Sequence, residues 1–162
     1  MEPTFSIIEK TMILVESPFF RGLTTEEAAR IAARASESRF EEGEPVPYGE
    51  GFFYILEGAV DLELGNQVVH RVVPGDGFGM GSALGIQEVH ELAGRAHPGT
   101  RCLFLPREEF LEVLLEHPEV AVALLKQLLI DNLDLHQQLI RATGGGPAGV
   151  YAQRPGPVKE ET

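Results

Sequence analysis

Only one cysteine occurs in the 162 residues, Cys102. That excludes an intrachain disulfide, a four-cysteine zinc site and a cysteine-ligated iron–sulfur cluster, and it fits a reducing compartment. Positive charge is scarce too: 13 Lys and Arg stand against 25 Asp and Glu, a formal net charge of −12. No basic run offers a nucleic-acid duplex or an anionic lipid surface a place to bind. No apolar run reaches the roughly 18–20 residues that span a bilayer, and Met1–Lys10 lacks the basic start and long apolar stretch of a secretory signal. The expected location is cytoplasmic, with neither membrane nor nucleic acid as a partner.

Reaction chemistry is equally thin. There is no Gly-x-Ser-x-Gly elbow and no phosphate loop ending in Gly-Lys-Ser/Thr. Glu41-Glu42 and Glu108-Glu109 are adjacent acids, which read as solvated faces because adjacency alone builds no cleft. His70, His90, His97, His117 and His136 form no His-x-His or His-x-x-x-His pair. His90 and His97 could meet across a hairpin, though surface or loop positions are the plainer reading. His70, His90 or Cys102 could be offered as haem ligands, yet Cys102 sits in an apolar run and reads as core. The expectation is a non-enzymatic protein with no metal and no cofactor.

What is present has a clear order. Phe5, Ile8, Met12 and Val15 recur at helical spacing, predicting an amphipathic helix over Thr4–Glu16 that packs through this stripe and ends by Pro18. Thr24-Thr25-Glu26-Glu27 has capping-box form, and Ala28, Ile31, Ala32 and Ala35 share the face of a helix expected from Thr25 to Ser36. From Arg39 to Pro106, Gly and Pro punctuate short apolar runs, the pattern of a β sandwich or barrel. Phe52–Leu56 reads as a buried strand. Val60, Leu62 and Leu64 alternate with acids, and Gly65-Asn66 turns that strand back into Gln67–Val73 as a hairpin. Phe110, Val113 and Leu114 then restore the helical period, His117-Pro118 breaks it, and a long helix follows from Glu119 to about Ala142.

On that last helix Leu125, Leu128, Asn132, Leu135 and Leu139 alternate at three and four residues, a short heptad seam with one polar member. The expectation is a homodimer helix, the alternative being a helix lying on its own sheet. Leu124, Leu129 and Ile140 lie off the seam and could hold the helix to its own domain. From Thr143 the chain reads as a Gly/Pro-rich flexible tail.

Four stretches in sequence order resemble the cyclic nucleotide-binding domains of the catabolite activator and protein kinase A regulatory-subunit superfamily. They are LVESPFFRGLTTEEAARIA, RFEEGEPVPYGEGFFYILEGAV, VVPGDGFGMGSAL and RCLFLPREEFLEVLLEHPEVAVALL, within about residues 12–140. The resemblance implies an α+β fold, a jelly-roll-like β barrel of about eight strands with N-terminal helices and a long C-terminal dimer helix. The segments expected are 1–38 (N-terminal helices), 39–106 (barrel and cassette), 107–142 (C-terminal helices) and 143–162 (tail).

The family's phosphate-binding cassette maps onto Gly79, Met80, Gly81, Ser82, Ala83, His90 and Glu91. Where the family places a Glu for the ribose 2′-hydroxyl, this chain has Met80. Where it places the Arg that pairs with the cyclic phosphate, followed by a small polar residue, it has His90 and Glu91. Losing a hydrogen bond to a charged group costs about 1.5–3 kcal/mol and the ribose contact about 1 kcal/mol more, on the order of a hundredfold to a thousandfold in affinity. Arg95 is a candidate replacement cation, although the resemblance puts it on a strand beyond the cassette. Superfamily transcription factors continue into a helix-turn-helix domain, for which the residues after Ala142 are expected to be too few. The expected function is regulatory or scaffolding, through an unidentified protein partner. The alternative is a small-molecule sensor that takes a cyclic nucleotide or another ligand in a modified pocket.

Overall fold

The computed structural model describes residues 4–86 and 92–144. The chain divides into two compact units, Met1–Gln127 and Leu128–Thr162. The first unit opens with α1 (Ile7–Glu16) and α2 (Thr25–Arg34). Each starts from a capping box, Ser6 with Glu9 and Thr24 with Glu27, in which the two residues satisfy each other's free backbone donors. Eight strands follow: β1 (Ser36–Phe40), β2 (Pro45–Val46), β3 (Gly51–Glu57), β4 (Val60–Leu64), β5 (Gln67–Val72), β6 (Gly77–Phe78), β7 (Leu92–Ala96) and β8 (Thr100–Pro106). A one-turn helix, α3 (Met80–Ala83), comes after β6. Helices α4 (Arg107–Glu116) and α5 (Pro118–Thr143) close the order, and α5 runs on into the second unit.

The strands form two four-stranded antiparallel sheets, ordered β1-β8-β3-β6 and β2-β7-β4-β5. This is the expected jelly-roll-like α+β architecture. Strand β3 is apolar without a break because it is covered on both sides. Phe52 and Tyr54 belong to the core shared with the helices, whereas Phe53 and Ile55 belong to the core between the sheets.

Two local expectations are corrected. The N-terminal helix buries Thr11 and Leu14, while Ile8 (76% exposed) and Met12 (54%) face solvent. Its rotation is set by Leu14 in the helical core and by Lys10 Nζ donating to the Ala35 carbonyl at 2.6 Å, contacts that periodicity alone does not reveal. The second helix stops at Arg34, not Ser36, and the strands begin at Ser36, three residues before Arg39. Pairing of Ser36–Phe40 with Thr100–Phe104 draws the chain into the sheet, a tertiary contact overriding local preference.

Asp61 on β4 faces Arg71 across the hairpin and accepts from its Nε at 2.7 Å and Nη2 at 3.1 Å; His97 Nε2 lies 2.9 Å away. The Arg71 hydrogen bond, with His97 beside it, pulls the carboxyl down from 3.8 to about 2. A lowered folded pKa contributes stability that is complete above the unfolded value and disappears as pH falls through the folded one. Asp61→Asn is therefore expected to be less stable than the native chain at neutral pH, the two converging between pH 3.8 and about 2 in urea unfolding followed across pH.

Candidate functional site

The cassette begins where β6 ends. Gly79 caps α3 with φ 86°, a left-handed conformation that glycine adopts without strain. It also sits directly on β3: a Cβ at Gly79 would lie 2.1 Å from the Gly51 carbonyl oxygen. Only glycine permits that approach. The structure brings Gly79, Met80, Gly81, Ser82 and Ala83 together in this turn. Ala83 is fully buried, and Met80 packs against the helix-side core rather than the core between the sheets. His90 and Glu91 lie outside the described residues, as do the tail positions from 145 onward.

The space between the sheets is lined by apolar groups. Phe53 stacks on Phe104 (ring centroids 4.5 Å apart) and on Phe78 (5.1 Å), and Tyr48 stacks on Phe78 at 6.0 Å with the rings 2° from parallel. Phe40 tilts against Phe53 at 6.4 Å. Phe78, inside this row, is the residue before Gly79. Sequence reasoning missed the row because Tyr48, Phe53, Phe78 and Phe104 come from four separate segments. The only available signal was the odd-numbered half of the Phe52–Leu56 run, which had to face somewhere.

No cation enters that space among the described residues: the buried polar residues are Thr11, Ser17 and Thr100. Arg95 is not a replacement. Its neighbours Gly94 and Ala96 turn inward, and Arg95 itself reaches Glu63 and the Gly43 carbonyl, the latter at 3.1 Å. One guanidinium does approach the cassette segment, but at its far end. Arg107 Nη2 would be 3.0 Å from a Cβ on Gly85. Cys102 lies in the core between the sheets, and burial pushes its thiol up to about 12, the behaviour of a packing residue rather than a thiolate ligand. His70 stands 4.0 Å from Asp76, and His117 contacts Arg30.

The site is thus a glycine-capped helical turn laid against one strand of a jelly-roll-like barrel. The sequence profile described as the cyclic nucleotide-binding domain matches residues 30–117. The chain belongs to that family. Among solved structures, it resembles a candidate cyclic nucleotide binding protein from Ruegeria pomeroyi (18% identity, TM-score 0.69, 82% of this chain and 62% of that one). It also resembles the N-terminal domain of a transcriptional regulator from Streptomyces coelicolor (23%, 0.66, 77% and 95%). A third is the catabolite activator protein of Thermus thermophilus (29%, 0.57, 77% and 63%). The chain thus spans under two thirds of the Ruegeria and Thermus proteins. No curated protein is significantly similar to it.

Gly79→Ala is expected to cost about 1–3 kcal/mol from the backbone conformation alone, and more from the collision with Gly51. Urea unfolding measures it, and Gly43→Ala is the control, since Gly43 shares the positive φ (75°) but has nothing within 4 Å.

Proposed function

We propose that this domain is a non-enzymatic regulatory or scaffolding module that has kept the cyclic-nucleotide-binding fold without holding cyclic AMP or cyclic GMP tightly, and that it acts through protein–protein contacts in the cytoplasm. The observation that carries this reading is the direction of Met80. At the position where the resemblance calls for a ribose-binding carboxylate, the side chain is apolar and turned into the helical core. The aromatic row beside Gly79 and the outward-facing Arg95 support it, because a cyclic phosphate entering such a space must shed water without gaining a cation. The departure at His90 and Glu91 has the same sign.

The contacts we assign first are between copies of this chain. Leu125, Leu128, Leu135 and Leu139 are 56–63% exposed, and Asn132 shares their stripe, so a parallel α5 pair would form an a/d seam with one polar layer.

Titration calorimetry of the full chain with cyclic AMP, cyclic GMP and cyclic di-GMP tests the site. No saturable heat at micromolar ligand is expected. Tight binding of any of the three overturns the reading and favours a small-molecule sensor with a modified pocket.

A further inference from the structure

Helix α2 holds α4 and the start of α5 through two arginines one turn apart. Arg34 grips α4 alone: its guanidinium reaches Glu109 and Glu112 at 2.8 Å and Glu116 at 3.2 Å. Arg30 sits at the joint. It pairs with Glu26 on its own helix at 3.0 Å, with Glu119 in the first turn of α5, and with His117, the residue that ends α4 and precedes Pro118. Val113 and Val120, on either side of the joint, are buried in the helix-side core, and the Val120 N–H donates to the His117 carbonyl at 2.9 Å.

The contact with Arg30 fixes the state of the imidazole. A guanidinium nitrogen only donates, so Nδ1, the ring atom it meets, is the unprotonated nitrogen, and the proton of the neutral ring is on Nε2. Arg30 Nη1 thus has two acceptors, His117 Nδ1 and Glu119 Oε1. A proton added at Nδ1 removes the first acceptor and creates a rival for the second, because Nδ1 lies 3.6 Å from the same Glu119 oxygen. Two acceptors for one donor become one acceptor for two donors, and two like charges then face each other. The other charged groups around the ring are already committed. Glu26 is on Arg30, and Glu116, the residue before His117, is turned to Arg34. Glu119 stays ionised, since its own backbone N–H, and then Arg30, hold its carboxyl below the usual carboxylate range. The Arg34 pairs contain no imidazole, so α2 keeps its grip on α4 when the joint changes.

We propose that His117 is a proton-operated latch at the α4–α5 joint: neutral, it lets Arg30 tie α2 to both helices, and protonated, it loosens that tie and frees the first turn of α5. Imidazoles take up their proton between about pH 8 and about pH 5, so the tie is complete above this range and weakens as pH falls through it. The α5 seam and the cassette take no part in the contact. His97 has the opposite sense, because a proton there strengthens its pair with Asp61 at 2.9 Å.

Amide hydrogen exchange of the full chain tests the latch, read at Val120 and Ala121 relative to Phe110 and Val113 in the body of α4 and corrected for the intrinsic effect of pH. The native chain is expected to lose about fivefold in protection at the joint between about pH 7.5 and about pH 5.5, the size of one partly exposed hydrogen bond. His117→Asn, whose side-chain oxygen can accept from Arg30 but takes up no proton, is expected to show equal protection at both pH values. Arg30→Gln, which removes the guanidinium, is expected to do the same, and His97→Asn to behave like the native chain. Native protection that is independent of pH overturns the latch. So does a pH dependence that survives either His117→Asn or Arg30→Gln, or one that disappears in His97→Asn.

Discussion

The double burial of β3 is the constraint on which the rest of the first unit depends. One strand supplies Phe52 and Tyr54 to the helical core and Phe53 and Ile55 to the core between the sheets, so neither core can shift without moving the other. It pairs with β8 along its length and with β6 at Phe53 and Tyr54, and the Gly51 carbonyl sets how closely Gly79 can lie. The cassette turn is therefore placed by backbone contact against β3. Phe19 and Phe20 reinforce it from the helical side, both packing edge-on to Phe52 at 5.2 and 5.5 Å.

The aromatic row has the opposite character to an anion site. Stacked rings gain from contact with one another, and their faces carry partial negative charge, so they favour a cation or an apolar group over a phosphate. An electrostatic site in this location needs a buried, positively charged partner, and among the described residues those buried in the core between the sheets are aromatic, aliphatic or, at Cys102, a thiol.

Much of this was legible in the sequence, and the misses have specific physical causes. The Thr24 capping box, the β4–β5 hairpin, the Pro118 break and the length of α5 are local signals, written in neighbouring residues, and these features stand where the sequence placed them. The rotation of α1 is not local. Phe5, Ile8, Met12 and Val15 have the spacing of an inward stripe, and Val15 does pack on the helical core, yet Leu14 and Lys10 find partners in the core and at Ala35, and the helix turns Ile8 and Met12 outward to satisfy them. The direction of Met80 and the row Tyr48–Phe78–Phe53–Phe104 likewise depend on which segments meet. Arg95 shows the intermediate case: once β7 is accepted as a strand with Ala96 inward, alternation alone turns Arg95 outward.

Ion pairs tie α2 to α4 and to the start of α5, and tie neighbouring strands of the barrel together. Arg30 is held by Glu26 and Glu119, Arg34 by Glu109, Glu112 and Glu116, Arg71 by Asp61, Arg95 by Glu63, and Arg101 by Glu37 and Glu57. The exposed pairs of Arg30, Arg34 and Arg95 add little stability, about 0–1 kcal/mol each, whereas Arg71 and Arg101 pair with the largely buried carboxylates of Asp61 and Glu37. Their consequence is instead that these cations are already committed to carboxylates, so an incoming anion would have to displace an internal one. The excess of acid that remains also makes two copies repel, a force that is screened beyond about 8 Å at physiological salt. Two copies could then attract one another only at short range, through apolar contact. Between Val122 and Leu139 the charged residues are Lys126, Asp131 and Asp134 alone, against eight leucine, isoleucine and valine side chains at least half exposed. The long helix is the part of this acidic chain where contact between copies meets the least electrostatic resistance.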